Sequence, residues 1–236
     1  ETINIVLLEM ADRLEGFTIP AWDWVEISAN PGSYFYRMRG RMEWMSDVLV
    51  HEFAHVVSLK RNSPLAEGTG GILVGGLFTD GVNDQISGGE LIISDTDPFW
   101  WTEGGAEYWS DTTGYNWWTA SRDMNLRTTV LEDRLLTFDE WSTRIQSFDW
   151  GDGERGYQQG YSIALYLRQR FGPTTFNEFA NYGDQRWRLK WENVIEEVTG
   201  VTAEQLYVDW KAYLEKHYQE VYDGVLEEGE VEGREL

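Results

Sequence analysis

The chain has 236 residues, which is enough for one large domain or two small lobes around a sizeable core. Its formal net charge of -22 argues against nucleic acid as a partner, because phosphate binding requires positive charge. It contains no cysteine, which excludes disulfides and thiolate metal ligands, and no apolar run of about 18 residues that could span a membrane. The 13 Trp and 12 Tyr predict a core packed with bulky aromatic side chains.

The N-terminal residues predict a small β-sheet. Residues 3–8 form a β-branched apolar run that is typical of a buried strand, and residues 22–28 alternate well enough for a second strand. Residues 12–20, which contain a glycine and a proline, are interpreted as a turn between the two strands. The Asn-Pro-Gly sequence at residues 30–32 closes the second strand.

A long helix is predicted from about residue 41 to residue 61, ending before Pro64. It contains the pattern His-Glu-x-x-His, formed by His51, Glu52 and His55. Residues four apart on a helix lie on one face, so both imidazoles can reach one metal ion while the glutamate lies beside them. Zinc accepts neutral imidazole nitrogen readily, and a catalytic zinc site keeps one position open for water. The glutamate is then placed to take a proton from that water.

Two apolar stripes at helical spacing flank the motif and predict a helix that is buried on most sides. The first stripe consists of Trp44, Val48, His51, His55 and Leu59 and so includes the two histidines. The second stripe lies beside it and consists of Met45, Leu49, Phe53 and Val56. Buried imidazoles need polar partners, and a metal ion supplies one. The alternative is a surface helix that carries the pattern by chance, which we disfavour because two of only three histidines fall within the motif. The third, His217, is predicted to be a surface residue on the last helix.

Residues 65–98 are rich in glycine and predict a long irregular insertion with one or two short strands. Its two apolar runs lie at residues 72–74 and 91–93. Its aspartates match no EF-hand spacing, so we interpret them as a solvated turn cluster rather than a calcium loop. These aspartates are Asp80, Asp84, Asp95 and Asp97.

The segment from residue 98 to residue 109 predicts a second helix that contributes to the same site. Thr102 can cap a helix whose first turn carries Glu103, and Glu107 shares the face of Glu103. Two histidines from one helix and a carboxylate from a second form a set typical of catalytic zinc, which makes Glu103 the candidate third ligand. Glu107 is suited to holding a ligand imidazole by its other N–H group. The alternative for Glu103 is an ordinary acid favoured by the helix dipole near an N-terminus.

The remainder of the chain is predicted to be helical. Helices are expected at about residues 120–135, 138–145, 157–171, 174–181, 187–198 and 203–222. The glycines at 151, 153 and 156 are interpreted as a loop, Gly172-Pro173 as a stop signal, and Thr202 as the cap of the last helix. The acidic segment 223–236 is interpreted as a linker or disordered tail.

Together these motifs resemble those of the gluzincin metallopeptidases, the thermolysin- and aminopeptidase-like zinc peptidases. The matching residues are His51-Glu52-x-x-His55, Trp101-x-Glu103-Gly104-x-Ala106-Glu107-Tyr108, and Tyr157-x-x-Gly160 at the head of a helix that ends at Arg170-Phe171-Gly172. The chain is similar in particular to the peptidase MA-like domains that precede Tol-type β-propellers in bacterial extracytoplasmic proteins, and the similarity covers most of its length. One departure is Gly105, where an apolar side chain is usual, and it predicts closer helix packing or a looser site.

The resemblance implies one zinc ion per chain on His51, His55 and Glu103, and a peptide or protein substrate. It also implies that a tyrosine donates a hydrogen bond to the oxyanion of the tetrahedral intermediate, with Tyr157 at the matching position and Tyr161 as the fallback. An extracytoplasmic location, periplasmic or secreted, and a covalently linked downstream domain follow from the same resemblance. The chain shows no initiator Met and no signal-peptide pattern, so we expect a mature or excised piece.

We therefore predict an α+β fold of the thermolysin- and aminopeptidase-like zincin type, with a small N-terminal β-sheet, a long motif helix and a mainly helical C-terminal lobe. Residues 1–222 would form the domain, divided into sheet plus motif helix (1–64), insertion (65–98) and helical lobe (99–222). The predicted function is zinc-dependent hydrolysis of peptide bonds with Glu52 as general base, on a peptide aligned along the sheet edge. Two alternatives stay open: a zinc-stabilised binding or scaffold domain without turnover, and a metallohydrolase acting on non-peptide amides.

Overall fold

The computed structural model describes nine segments of the chain, which are residues 2–9, 16–19, 23–29, 44–62, 76–78, 87–89, 98–142, 150–181 and 191–229. Within them the protein is mainly helical and carries two small sheets, so the predicted α+β class is confirmed. None of the helices in these segments combines the length and the apolar character that crossing a membrane requires.

The N-terminal sheet has three strands, in the order β1-β3-β2, and they are β1 (Asn4–Leu8), β2 (Gly16–Ile19) and β3 (Trp24–Ser28). The central strand β3 is parallel to β1 and antiparallel to β2. The two predicted strands are confirmed, but the prediction that the first is buried is wrong, since Ile5 and Leu7 are 50% and 55% exposed. Because β1 is an edge strand, the core is filled instead by Val25 and Ile27 of β3.

The interpretation of residues 12–20 as a turn is wrong for residues 16–19, which form β2. The prediction follows the glycine and the proline, whereas Phe17-Thr18-Ile19 has the aromatic and β-branched residue types that favour strands, and this segment pairs with β3. Residues 12–15, residue 20 and the predicted turn at 30–32 lie outside the described residues.

The motif helix is α1 (Trp44–Asn62), which confirms its prediction from the sequence. It packs on the sheet through Val48 and Val56 and lies against the next helix on another face. From residue 45 to residue 58 it is buried or half-buried on most sides, as predicted, but Phe53 of the second predicted stripe is 48% exposed and the neighbouring Val57 is 51% exposed. The apolar stripes of this helix are wider than the two surfaces that cover it.

The insertion contains two short antiparallel strands, β4 (Gly76–Phe78) and β5 (Ser87–Gly89), as the sequence predicted. The apolar runs expected to form them, at 72–74 and 91–93, lie outside the described residues. The four aspartates of the proposed turn cluster lie outside them as well.

Seven further helices are described after the insertion. They are α2 (Phe99–Thr112), α3 (Ala120–Leu131), α4 (Phe138–Ser142), α5 (Trp150–Phe171), α6 (Thr175–Asn181), α7 (Trp191–Thr199) and α8 (Ala203–Glu228). The centre of this region is the crossing of α2 and α5, where Gly104 faces Gly160. A Cβ atom on Gly104 would overlap the backbone of Gly160, so the two helices approach as closely as their main chains allow.

Several helix boundaries differ from their predictions. Thr102 is not a cap, because α2 begins three residues earlier after Pro98. The glycines at 151, 153 and 156 do not form a loop, since α5 already includes them, and the contacts of this long helix outweigh their low helix propensity. Helix α3 ends at Leu131, where the chain turns through a positive φ at Asp133, and α8 continues to Glu228, so residues 223–228 are helical rather than part of a tail. Thr202 caps α8 as predicted, and α5 ends before Gly172-Pro173 as predicted.

The aromatic core predicted from the composition lies among the helices. Trp100 stacks on Trp141 at a ring-centroid distance of 4.7 Å, and Trp101 stacks on Phe176 at 4.9 Å. All four of these rings are buried. Since Trp100 and Trp101 form the first turn of α2, this packing fixes the part of α2 that immediately precedes Glu103.

Candidate metal centre

Three side chains from α1 and α2 converge on one point. His51 and His55 lie one turn apart on α1, and Glu103 reaches them from α2. The Nε2 atoms of the two histidines are 3.1 Å apart, and Glu103 Oε2 lies 3.1 Å from His51 Nε2 and 3.2 Å from His55 Nε2. The three atoms form a nearly equilateral triangle, and this group could hold a metal ion.

The spacing of the triangle fits a tetrahedral metal ion. Ligand atoms at about 2.0–2.1 Å from zinc are separated from one another by roughly 3.3 Å in tetrahedral geometry, close to the observed distances. Hydrogen bonds alone cannot satisfy all three contacts. If both Nε2 atoms carry protons they oppose each other, and if one lacks a proton, its lone pair faces the carboxylate. A cation at the common point satisfies all three atoms at once.

The electrostatics of the group point the same way. Burial lowers the pKa of His55, but the carboxylates of Glu103, Glu52 and Glu107 outweigh that effect and raise the pKa to about 9. Burial raises the pKa of Glu103, but His55 and His51 reverse that effect and hold the pKa well below its usual range. The carboxylates therefore stabilise positive charge at His55, and a divalent cation would provide such a charge.

The position of Glu103 also decides between the two interpretations of this residue. Because α2 begins at Phe99, Glu103 lies beyond the first turn, which contains no acidic residue. The helix dipole acts mainly on the terminal turn and so does not account for this glutamate. Its carboxylate contacts the two histidines instead.

Glu52 lies between the motif helix and the edge strand β2. This residue is only 7% exposed. Thr18 donates a hydrogen bond from Oγ1 to Glu52 Oε2 at 2.5 Å and lies 3.1 Å from the main-chain oxygen of Glu52. A Cβ atom on Gly16 would lie 2.6 Å from Glu52 Oε1, so β2 packs directly on this carboxylate. Thr18 is not among the predicted site residues, because the sequence pattern of residues 12–20 indicates a turn.

Glu107 is buried beside His51, where the sequence predicted an outer partner. Its Oε1 atom lies 3.8 Å from His51 Nδ1, which is longer than a hydrogen bond. Its Oε2 atom accepts hydrogen bonds from Arg122 Nη2 at 2.7 Å and from Asn116 Nδ2. Sequence reasoning missed Arg122 and Asn116. One signal was present: an arginine in the first turn of a helix opposes the helix dipole and needs another reason to be there.

The two candidate tyrosines have different surroundings. Tyr157 is half-buried, and its ring centroid lies 6.0 Å from that of His51. Tyr161, one turn on, is fully buried between the Trp118 ring and the Arg122 guanidinium, each 5.3 Å away, and burial raises its pKa. The tyrosine beside the histidine pair is thus Tyr157. The third histidine, His217, is exposed on α8, as predicted.

Gly105, which departs from the gluzincin pattern, faces the aromatic core rather than the candidate metal ligands. A Cβ atom there would lie 3.1 Å from the Phe176 ring and 3.2 Å from the Trp109 ring. The absence of a side chain therefore lets α6 pack closely on α2 through Phe176.

Comparisons of the chain with protein-family models, with curated proteins and with solved structures found no match. Function must therefore be inferred from the residues of the site and their geometry.

Proposed function

We propose that this protein is a gluzincin-like zinc metallopeptidase. In this proposal His51, His55 and Glu103 hold one zinc ion per chain, and Glu52 acts as the general base in peptide-bond hydrolysis. The observation that carries the proposal is the convergence of the three ligand atoms from α1 and α2, with the motif glutamate on the same helix as the two histidines.

The donor set supports zinc in a catalytic rather than a structural role. Two imidazole nitrogens and one carboxylate oxygen are common ligands of catalytic zinc, whereas a structural zinc site fills all four positions with protein ligands. Within the described residues the group has three members, which leaves one position for water or substrate. A calcium or magnesium ion would prefer a larger set of oxygen ligands.

When bound, zinc would supply Lewis acidity by polarising a carbonyl oxygen and lowering the pKa of water. Glu52 would accept the proton of the attacking water and deliver it to the leaving amine. Thr18 would hold Oε2 of Glu52 in place through its hydroxyl. Tyr157 would donate a hydrogen bond to the developing oxyanion, which its position beside His51 allows.

The edge strand β2 supports the expected alignment of the substrate. Among the described residues β2 pairs with β3 alone, so one of its edges carries backbone groups that an extended peptide could bind. Its residue Thr18 contacts Glu52, which brings this strand to the general base. A peptide added to β2 would therefore run past the residues that act on its carbonyl.

One observation favours a second candidate function, a zinc-stabilised binding domain without turnover. Glu52 is almost fully buried beneath β2 and is already engaged by Thr18. A glutamate held in this way could serve the packing of β2 on α1. The two functions differ in a single outcome, which is whether zinc-loaded protein cleaves peptides.

The test is zinc content and peptide hydrolysis of the wild type beside His51→Ala and Glu52→Gln. An unstructured casein-like protein is the substrate, and elemental analysis measures the metal. We expect about one zinc per chain in the wild type, loss of zinc in His51→Ala, and zinc without cleavage in Glu52→Gln. Equal zinc content in all three proteins would refute the site, and a zinc-loaded wild type that cleaves no peptide would favour the binding domain.

A further inference from the structure

A buried charged network lies directly behind the metal-binding group. Its centre is Arg122, in the first turn of α3, which is 1% exposed. The guanidinium donates to Glu107 Oε2 at 2.7 Å, to Asn116 Oδ1 at 3.3 Å and to Gln158 Oε1 at 3.1 Å. These partners belong to α2, to the segment after α2 and to α5, so the network joins three parts of the fold.

Packing alone does not explain a charge in this place. Removing a guanidinium and a carboxylate from water is costly, and an apolar pair of similar volume often serves stability equally well. The planar guanidinium supplies donors in a fixed geometry, which orients the groups that it binds. Among the groups that Arg122 binds, Glu107 is the one whose orientation affects the site, because its second oxygen faces the candidate metal ligand His51.

Glu107 has two differently placed oxygens. Oε2 is held by Arg122 and Asn116, and this fixes the plane of the carboxylate. Oε1 then faces His51 Nδ1 at 3.8 Å. Shortening this distance by less than about 1 Å would bring the two atoms within hydrogen-bond range. A histidine that binds metal through Nε2 carries its proton on Nδ1 and needs an acceptor there.

We propose that Arg122 is a positioning residue of the metal centre, which holds Glu107 so that Oε1 accepts a hydrogen bond from His51 Nδ1. This inference rests on the proposed zinc site. Arg122 acts through Glu107 on the tautomer and the ring orientation of His51, and touches neither metal nor substrate. Asn116 assists by binding the same carboxylate oxygen.

The network acts on one histidine of the pair. His55 Nδ1 is buried and has no hydrogen-bond partner among the described residues. The alternative to a positioning role is that Arg122 merely ties α2, α3 and α5 together. If that is its role, substitution of Arg122 should lower the stability of the fold without changing the zinc affinity or the exchange rate of the His51 Nδ1 proton.

The experiment compares Arg122→Lys and Glu107→Gln with the wild type and with Arg170→Lys. Arg170 is a matched control, because it also binds a carboxylate, that of Asp209, but belongs to no part of the site. Zinc affinity is measured by competition with a chromophoric chelator, and folding by circular dichroism. Exchange of the His51 Nδ1 proton in the zinc-loaded protein is followed by NMR.

We expect Arg122→Lys and Glu107→Gln to weaken zinc binding by about 10- to 100-fold and to speed exchange of the His51 proton, while Arg170→Lys changes neither. If a single variant does not fold, Arg122→Met combined with Glu107→Leu removes both buried charges and takes its place, with the same loss of affinity expected. Folded Arg122 and Glu107 variants with wild-type zinc affinity would overturn the inference and leave the proposed function standing. A wild type that binds no zinc would overturn both.

Discussion

The pH dependence of the metal-free protein is the sharpest electrostatic prediction. His55 is buried, and its pKa is raised from 6.5 to about 9 because nearby carboxylates outweigh the effect of burial. A histidine whose pKa is higher in the folded state stabilises that state fully below pH 6.5 and loses its contribution as the pH rises through 9. The difference between the two pKa values corresponds to about 3 kcal/mol of unfolding free energy. We expect that amount to be lost between pH 6.5 and pH 9.

Urea denaturation of chelator-treated protein at several pH values measures this loss directly. The pH window is suitable because the pKa of Glu103 is lowered, so its contribution is lost only as the pH falls through the acid range. The tyrosines whose pKa is raised, such as Tyr108 and Tyr207, start from 10.0 and affect stability only above the window. His55→Gln provides the control, since it should remove most of the slope.

Zinc should reverse the sign of this dependence. The metal binds the neutral imidazole and competes with the proton, so the stability of the zinc-loaded protein should rise with pH across the same window. Opposite slopes for the metal-free and zinc-loaded proteins are therefore expected. A flat profile for the metal-free protein would refute the claim that His55 gains a proton against Glu103, and parallel profiles would refute zinc binding through His55.

Three further predictions test separate parts of the site. Thr18→Val removes the hydroxyl that holds Glu52, and we expect roughly tenfold slower peptide hydrolysis at unchanged zinc content; an unchanged rate would exclude a role for this hydrogen bond. Tyr157→Phe should slow hydrolysis by about 10²- to 10³-fold while Tyr161→Phe stays near the wild-type rate; the reverse order would assign the oxyanion donor to the buried tyrosine. Gly104→Ala should lower the unfolding free energy by about 1–3 kcal/mol or more and weaken zinc binding, because its Cβ atom meets the Gly160 backbone. If chemical denaturation shows little loss of unfolding free energy in Gly104→Ala, this argument is refuted.

The sequence predicted the parts of this protein that depend on short-range patterns. His51 and His55 are four residues apart, and helical geometry alone puts them on one face. Helix α8 begins after Thr202 and helix α5 ends before Gly172, as their start and stop signals predict. The three candidate metal ligands could be predicted because the two sequence segments that supply them each carry a recognisable pattern.

The parts that the sequence did not predict depend on contacts between distant segments. Residues 150–156 are helical although three of them are glycines, because α5 packs along much of its length on α2 and other helices. The strand formed by residues 16–19 exists because β3 pairs with it. Arg122 has no local pattern that connects it with Glu107, and only the fold brings the two side chains together.

The three candidate ligands are held in three different ways, and the differences have consequences. Glu103 is placed by main-chain contact, since Gly104 lies against Gly160 and the first turn of α2 is packed into the aromatic core. His51 faces the Arg122–Glu107 network, whereas His55 depends on burial and on the carboxylates around it. Damage to the network should therefore affect His51 first, and separation of α2 from α5 should affect Glu103 first. We therefore expect substitutions in the Arg122–Glu107 network and substitutions at the contact of α2 with α5 to weaken zinc binding through different ligands.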